Sequence, residues 1–120
     1  MKCGFHPKLE QQECSYCAKW RKTFKYFKER NCSHLTLYCA ELTHYRTKEK
    51  FYKIGLTSKT TDQRFDETRE RFDVKIKWEV KTGLYSAVTR ETTLLYSTQV
   101  DQGRRYKPKA QFSGQTECFI

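Results

Sequence analysis

Residues 35–58 read LTLYCAELTHYRTKEKFYKIGLTS, and this stretch decides the fold. Leu35 to Leu42 alternates as a strand does, because successive strand side chains point to opposite faces. The polar stretch His44-Tyr45-Arg46-Thr47 then makes a loop, and Phe51 to Leu56 forms a second strand. Two such runs joined by a short polar loop read as an antiparallel hairpin.

Working outward, Ala18–Arg30 reads as a helix. Trp20, Phe24 and Phe27 fall at i, i+4 and i+7, with Lys19, Lys22, Lys25 and Arg30 on the remaining surface. On the other side of the hairpin, Thr60-Thr61-Asp62-Gln63 has the form of a capping box, opening a helix expected to carry Arg64, Phe65 and Phe72. Val74–Val80 alternates again and predicts a third strand with Val74, Ile76, Trp78 and Val80 on one face. Ser86 is placed to cap a second core helix whose apolar stripe is Val88, Thr92 and Leu95. From about Asp101 the chain reads as loop until Glu117-Cys118-Phe119. The expected class is α+β, a small three-stranded antiparallel sheet flanked by helices. A 1–33 segment, containing a zinc knuckle and a basic helix, precedes a 34–120 domain.

Twenty-four Lys and Arg against fourteen Asp and Glu leave a formal charge of +10 on 120 residues. Such an excess repels itself and points to a polyanionic partner, with nucleic acid ahead of an acidic membrane surface or an acidic protein. No apolar run approaches the roughly 18 residues that cross a bilayer, and the N-terminus lacks the apolar centre of a signal peptide. A cytoplasmic protein without a membrane partner is expected. In a reducing compartment the six cysteines are thiols or metal ligands rather than disulfides.

Cys3-x2-His6 and Cys14-x2-Cys17 are two chelating pairs with seven residues between them. Three sulfur donors and one nitrogen suit tetrahedral Zn²⁺, and such a structural ion supplies folding energy to a segment with no core. Cys32 and His34 make a rival pair for half of that site. The bland alternative is four unrelated side chains. Cys39 and Cys118 read as structural. In the following helix, Lys19, Arg21, Lys22 and Lys25 are candidate phosphate contacts on duplex DNA, against the plain reading of a solvated basic face. The aromatic stripe reads as a packing face.

Several motifs in the remaining domain resemble those of GIY-YIG endonucleases. Thr36-Leu37-Tyr38 and Lys53-Ile54-Gly55 are similar to the paired GIY and YIG strands, with Thr36 in place of the first glycine and Lys53 in place of the second tyrosine. Tyr52-Lys53-Ile54-Gly55-Leu56-Thr57-Ser58 followed by Arg64 resembles the KIG-containing branch found in phage proteins. Glu91 and the tail Tyr106-x-Pro108…Phe112-x-Gly114-x-Thr116-Glu117-Cys118-Phe119 continue the likeness, which spans about Leu35 to the C-terminus. The knuckle is similar to N-terminal zinc segments of phage nucleases.

The resemblance implies phosphodiester hydrolysis with one Mg²⁺ or Mn²⁺ on Glu91, Arg64 on the scissile phosphate, Tyr38 activating water, and Lys53 supplying positive charge beside it. Arg104 and Arg105 resemble downstream basic positions that contact phosphate. A metal-dependent DNA endonuclease is the leading expectation. A non-catalytic DNA-binding protein on the same fold and a phage inhibitor of a host protein are the alternatives, and a homodimer would be needed for a concerted double-strand cut.

Overall fold

A computed structural model describes residues 15–109 and 117–120. The elements are α1 (Ser15–Glu29), β1 (His34–His44), β2 (Lys50–Thr57), α2 (Thr61–Arg64), a 3₁₀ turn (Thr68–Glu70), β3 (Phe72–Gly83), α3 (Leu84–Tyr96), a π-helical turn (Ser97–Asp101) and β4 (Cys118–Phe119). The fold is α+β. Its sheet has four antiparallel strands in the order β3-β1-β2-β4, one more than the three expected. The extra strand is only two residues long, pairing Tyr52 with Phe119 and Lys53 with Cys118. A run that short carries no alternation for sequence reading to find.

β1 lies at the centre, and its two faces build two cores. On one face Tyr38, Ala40 and Leu42 pack with Phe51, Phe65, Phe72 and Cys118. On the other, Leu37 and Cys39 pack with Ile54, Leu95 and Phe119, while Leu35 meets Ala87 and Val88. α3 covers this second face with the stripe Ala87, Val88, Glu91, Thr92 and Leu95, in which one carboxylate sits among apolar neighbours. Trp20, Phe24 and Phe27 of α1 pack onto the Leu35–Ala87–Val88 cluster, and the Trp20 indole donates to Thr89 Oγ1 at 3.0 Å. The aromatic stripe is therefore a packing face.

The helix ends where Asn31 turns left-handed (φ 58°), with Cys32 N–H bonded to the Phe27 carbonyl and Asn31 N–H to that of Lys28. That is a Schellman stop with Asn in the position glycine usually takes.

Three further expectations are corrected. The Thr60–Gln63 capping box is present with both of its bonds, but α2 ends at Arg64 and Phe72 opens β3 instead of riding the helix. Phe65 drops into the core beside Tyr38, ring centroids 5.1 Å apart, and turns the chain out of its helix after one turn.

Val74, Ile76, Trp78 and Val80 do not share a face. Ala40 pairs with Ile76 while Cys39 pairs with Trp78, so Lys77 is the extra residue of a β-bulge that reverses the alternation. Val74 and Ile76 stay on the Tyr38 face, whereas Trp78 and Val80 emerge on the other, 41% and 39% exposed.

Ser86 does not cap α3. The Leu84 N–H is already satisfied by the Ser33 carbonyl at 2.9 Å, and the helix starts three residues earlier with Gly83 as its cap. No helix among the described residues is long and apolar enough to cross a membrane.

Candidate functional site

The hairpin register fixes the centre of the site. Tyr38 lies opposite Gly55 and Ala40 opposite Lys53, so Tyr38 and Lys53 are diagonal neighbours on one face. The Lys53 ammonium donates to the Tyr38 hydroxyl at 2.8 Å. Both groups lie over Gly55. A Cβ there would stand 2.5 Å from the Tyr38 oxygen and 2.7 Å from Lys53 Nζ, so a larger residue would have to displace the pair from this arrangement. Tyr52, one residue along, points the other way and stacks on Phe119.

Lys53, Arg64 and Glu91 line one open cleft of about 410 Å³, together with Lys19, Lys22, Thr23, Tyr26, Phe27, Leu56 and Glu117. Lys53 and Leu56 point to opposite faces of β2, so the cleft wraps that strand's outer edge, beyond the two residues that β4 pairs. All four residues assigned a chemical role from sequence thus come together from β1, β2, α2 and α3. Their exposure differs. Tyr38 is 0% and Lys53 2% exposed, and Arg64 is half-buried.

Two ion pairs share the cleft. Glu91, 3% exposed, accepts from Lys19 of α1 at 3.0 Å. Lys53 faces Glu117 Oε2 at 3.7 Å. Burial, and then the Glu117 charge, push the Glu91 carboxyl up to about 6 even though Lys19 and Lys53 pull it down. Burial works against the charge on Lys53, but Glu117 and the Tyr38 contact outweigh it and hold its pKa above the ordinary lysine value.

Glu117 is the member that sequence reading leaves without a role. Its one signal is an acid standing beside the apolar Cys118-Phe119 in an otherwise basic tail. Lys19, read as a phosphate contact, turns inward to Glu91.

Of the other basic positions, Arg21, Lys22 and Lys25 are exposed along α1, Lys25 lying 3.9 Å from Glu29. Lys22 borders the cleft. A second cleft of about 580 Å³ shares Tyr26, Phe27, Leu56 and Arg64 with the first and runs on past Lys59 and Arg71. The two form one continuous furrow.

Arg104 is engaged structurally. Its guanidinium donates to the Ile120 carbonyl and to Gln102 Oε1, and lies 5.0 Å from the Phe119 ring centre. Arg105 is exposed and its backbone bridges to Phe119. Cys3, His6 and Cys14 lie outside the described residues. Cys17 is a half-buried thiol in the first turns of α1. Cys32 donates to the Arg30 carbonyl at 3.8 Å, and the His34 ring contacts Ser33 Oγ at 3.1 Å.

No protein-family model, curated protein or solved structure matches the chain.

Proposed function

We propose that the protein is a metal-dependent DNA endonuclease of the GIY-YIG type. One observation carries the reading: Lys53, Arg64 and Glu91, residues of three separate elements, line a single cleft bordered by a basic helix, and the buried Tyr38 hydroxyl lies behind it, hydrogen-bonded to Lys53.

The donor chemistry fits a hard divalent cation. Among the described residues no three His, Cys, Asp or Glu side chains assemble as ligands. Mg²⁺ is commonly bound through one or two carboxylates, with water and substrate phosphate completing the shell. Glu91 offers one such carboxylate. Burial and the Glu117 charge, which raise its pKa despite Lys19 and Lys53, both disfavour its ionised form until a further cation is bound. When bound there, the cation would stabilise the charge on the departing oxygen.

The chain's own groups do the rest. Arg64, half-buried at the cleft, binds two oxygens of a phosphate in bidentate fashion. Lys53 keeps a positive charge beneath it without exposing that charge to competing anions. By donating to the Tyr38 oxygen, Lys53 leaves the phenolic proton free to be passed on. The exposed face of α1 receives the flanking phosphates. Cys3, His6, Cys14 and Cys17 would hold a Zn²⁺ ion that anchors the start of that helix, and Cys14→Ser is expected to lose one equivalent of zinc. Unchanged metal content would remove this part.

The test is nicking of supercoiled plasmid at low salt with Mg²⁺ or Mn²⁺. The native chain is expected to nick and Glu91→Ala to bind DNA without nicking. Equal cleavage by the two would take Glu91 out of the mechanism. A second reading has its own support. Tyr38 is wholly buried and Glu91 is already held by Lys19, as in a cleft retained for recognition alone. Tight, salt-dependent binding with no nicking by the native chain would favour it.

A further inference from the structure

The cleft holds two carboxylates and divides them between two ammonium groups. Glu91 is engaged by Lys19 at 3.0 Å, which leaves Glu117 as the carboxylate facing Lys53, at 3.7 Å. Lys53 needs one. Its side chain is 2% exposed, its other close polar partner is the Tyr38 hydroxyl, and the Arg64 charge adds repulsion. A buried ammonium without a counter-ion gives up its proton or swings toward water. The first reverses the hydrogen bond with Tyr38, the amine then accepting from the hydroxyl, and the second breaks it.

We propose that Glu117 is a positioning residue of this centre: its carboxylate fixes the Lys53 ammonium over Gly55, and Lys53 in turn fixes the Tyr38 hydroxyl. The chain of contacts runs from Glu117 Oε2 to Lys53 Nζ to Tyr38 OH. Glu117 stands immediately before β4, whose Cys118 pairs with Lys53 itself. The two-residue strand is thus the device that brings the carboxylate to the ammonium. Without β4, Glu117 would be an acid on a loose tail. With it, the carboxylate is set within one residue of the register of its partner.

The catalytic consequence rests on the nuclease reading, but the positioning does not, so the test has two readouts. The ammonium resonance of Lys53 is followed by ¹H–¹⁵N correlation in the full-length chain, with Lys53→Met for assignment. It is expected to be visible in the native protein, lost in Glu117→Gln, which keeps the shape and removes the charge, and kept in Glu117→Asp. A native Lys53 signal in Glu117→Gln would overturn the proposal.

In the plasmid assay, turnover is expected to fall on the order of 100-fold in Glu117→Gln, as for a small misplacement of a reacting group, with DNA affinity unchanged or tighter. Glu117→Asp is expected to recover part of the loss. Native turnover in Glu117→Gln would also overturn it. If the native chain does not nick at all, the nuclease reading fails, and the resonance alone decides whether Glu117 holds Lys53.

Discussion

Glu91 sits on the sheet-facing stripe of α3, where Ala87, Val88, Thr92 and Leu95 are its neighbours in burial. A carboxylate in that stripe is destabilising when ionised, and the sign of its pH dependence follows. Its pKa is pushed up to about 6 in the folded chain from an unperturbed 4.5. Below pH 4.5 the group is protonated in both states. Between 4.5 and 6 the folded chain keeps a proton that the unfolded chain has released, so stability falls as pH rises through this window. Above 6 the full cost is present, about 2 kcal/mol. Glu91→Gln is therefore expected to match the native chain near pH 4.5 and to exceed it by about 2 kcal/mol at pH 7, measured by denaturant unfolding in metal-free buffer. A gain equal at both pH values would mean that packing, not charge, sets the difference. At this scale much was legible: a period of two places Tyr38 and Lys53 on one face. Complete burial of Tyr38 was not, since it depends on Phe65 and Phe72 closing over it from elements distant in sequence.

Elements were readable wherever the pattern ran long enough. α1, β1, β2 and α3 fall within a few residues of where periodicity puts them, and the Thr60 capping box is present. The failures share a cause, which is that a tertiary partner overrode a local signal. The Ser33 carbonyl displaced the Ser86 cap, the bulge at Lys77 reversed β3, and β4 exists only because β2 offers it an edge. Lys19 belongs to the same class of surprise. Helical spacing makes it one of several basic residues, and only the docking of α1 on α3 turns it toward Glu91. That docking gives α1 a second task, since Lys19 occupies the carboxylate on which the proposed cation depends. Removing a positive charge from the immediate neighbourhood of a cation site is expected to tighten binding, by roughly tenfold if the effect resembles that of one close charge on a pKa. Lys19→Gln should thus bind Mn²⁺ more tightly than the native chain in calorimetric titration. Unchanged or weaker binding would argue that Glu91 is not a metal ligand and that its pair with Lys19 is structural.

Across the whole molecule the +10 charge is not one uniform field but a set of cations with different employments. Lys19 and Lys53 are spent on internal carboxylates, Lys50 and Lys77 flank Glu41 at 3.4 and 3.5 Å, and Arg104 ties down the C-terminus. Those groups have little freedom to replace counterions on DNA. Lys22 and Lys25 remain exposed on α1, and Lys22 borders the furrow that passes Arg64. Each phosphate neutralised contributes about 0.9 to the slope of log affinity against log salt for duplex DNA. The double variant Lys22→Gln/Lys25→Gln is therefore expected to lower the magnitude of that slope by about 2, with cleavage chemistry at saturating DNA little changed. Arg104→Gln should behave in the opposite way, leaving the slope near its native value while lowering the melting temperature, because its guanidinium is engaged with Ile120, Gln102 and Phe119. Titrations at several salt concentrations separate the two cases. If the lysine pair leaves the slope untouched and Arg104 carries it, the duplex runs along the C-terminal edge beside β4, and α1 serves the cleft through Lys19 alone.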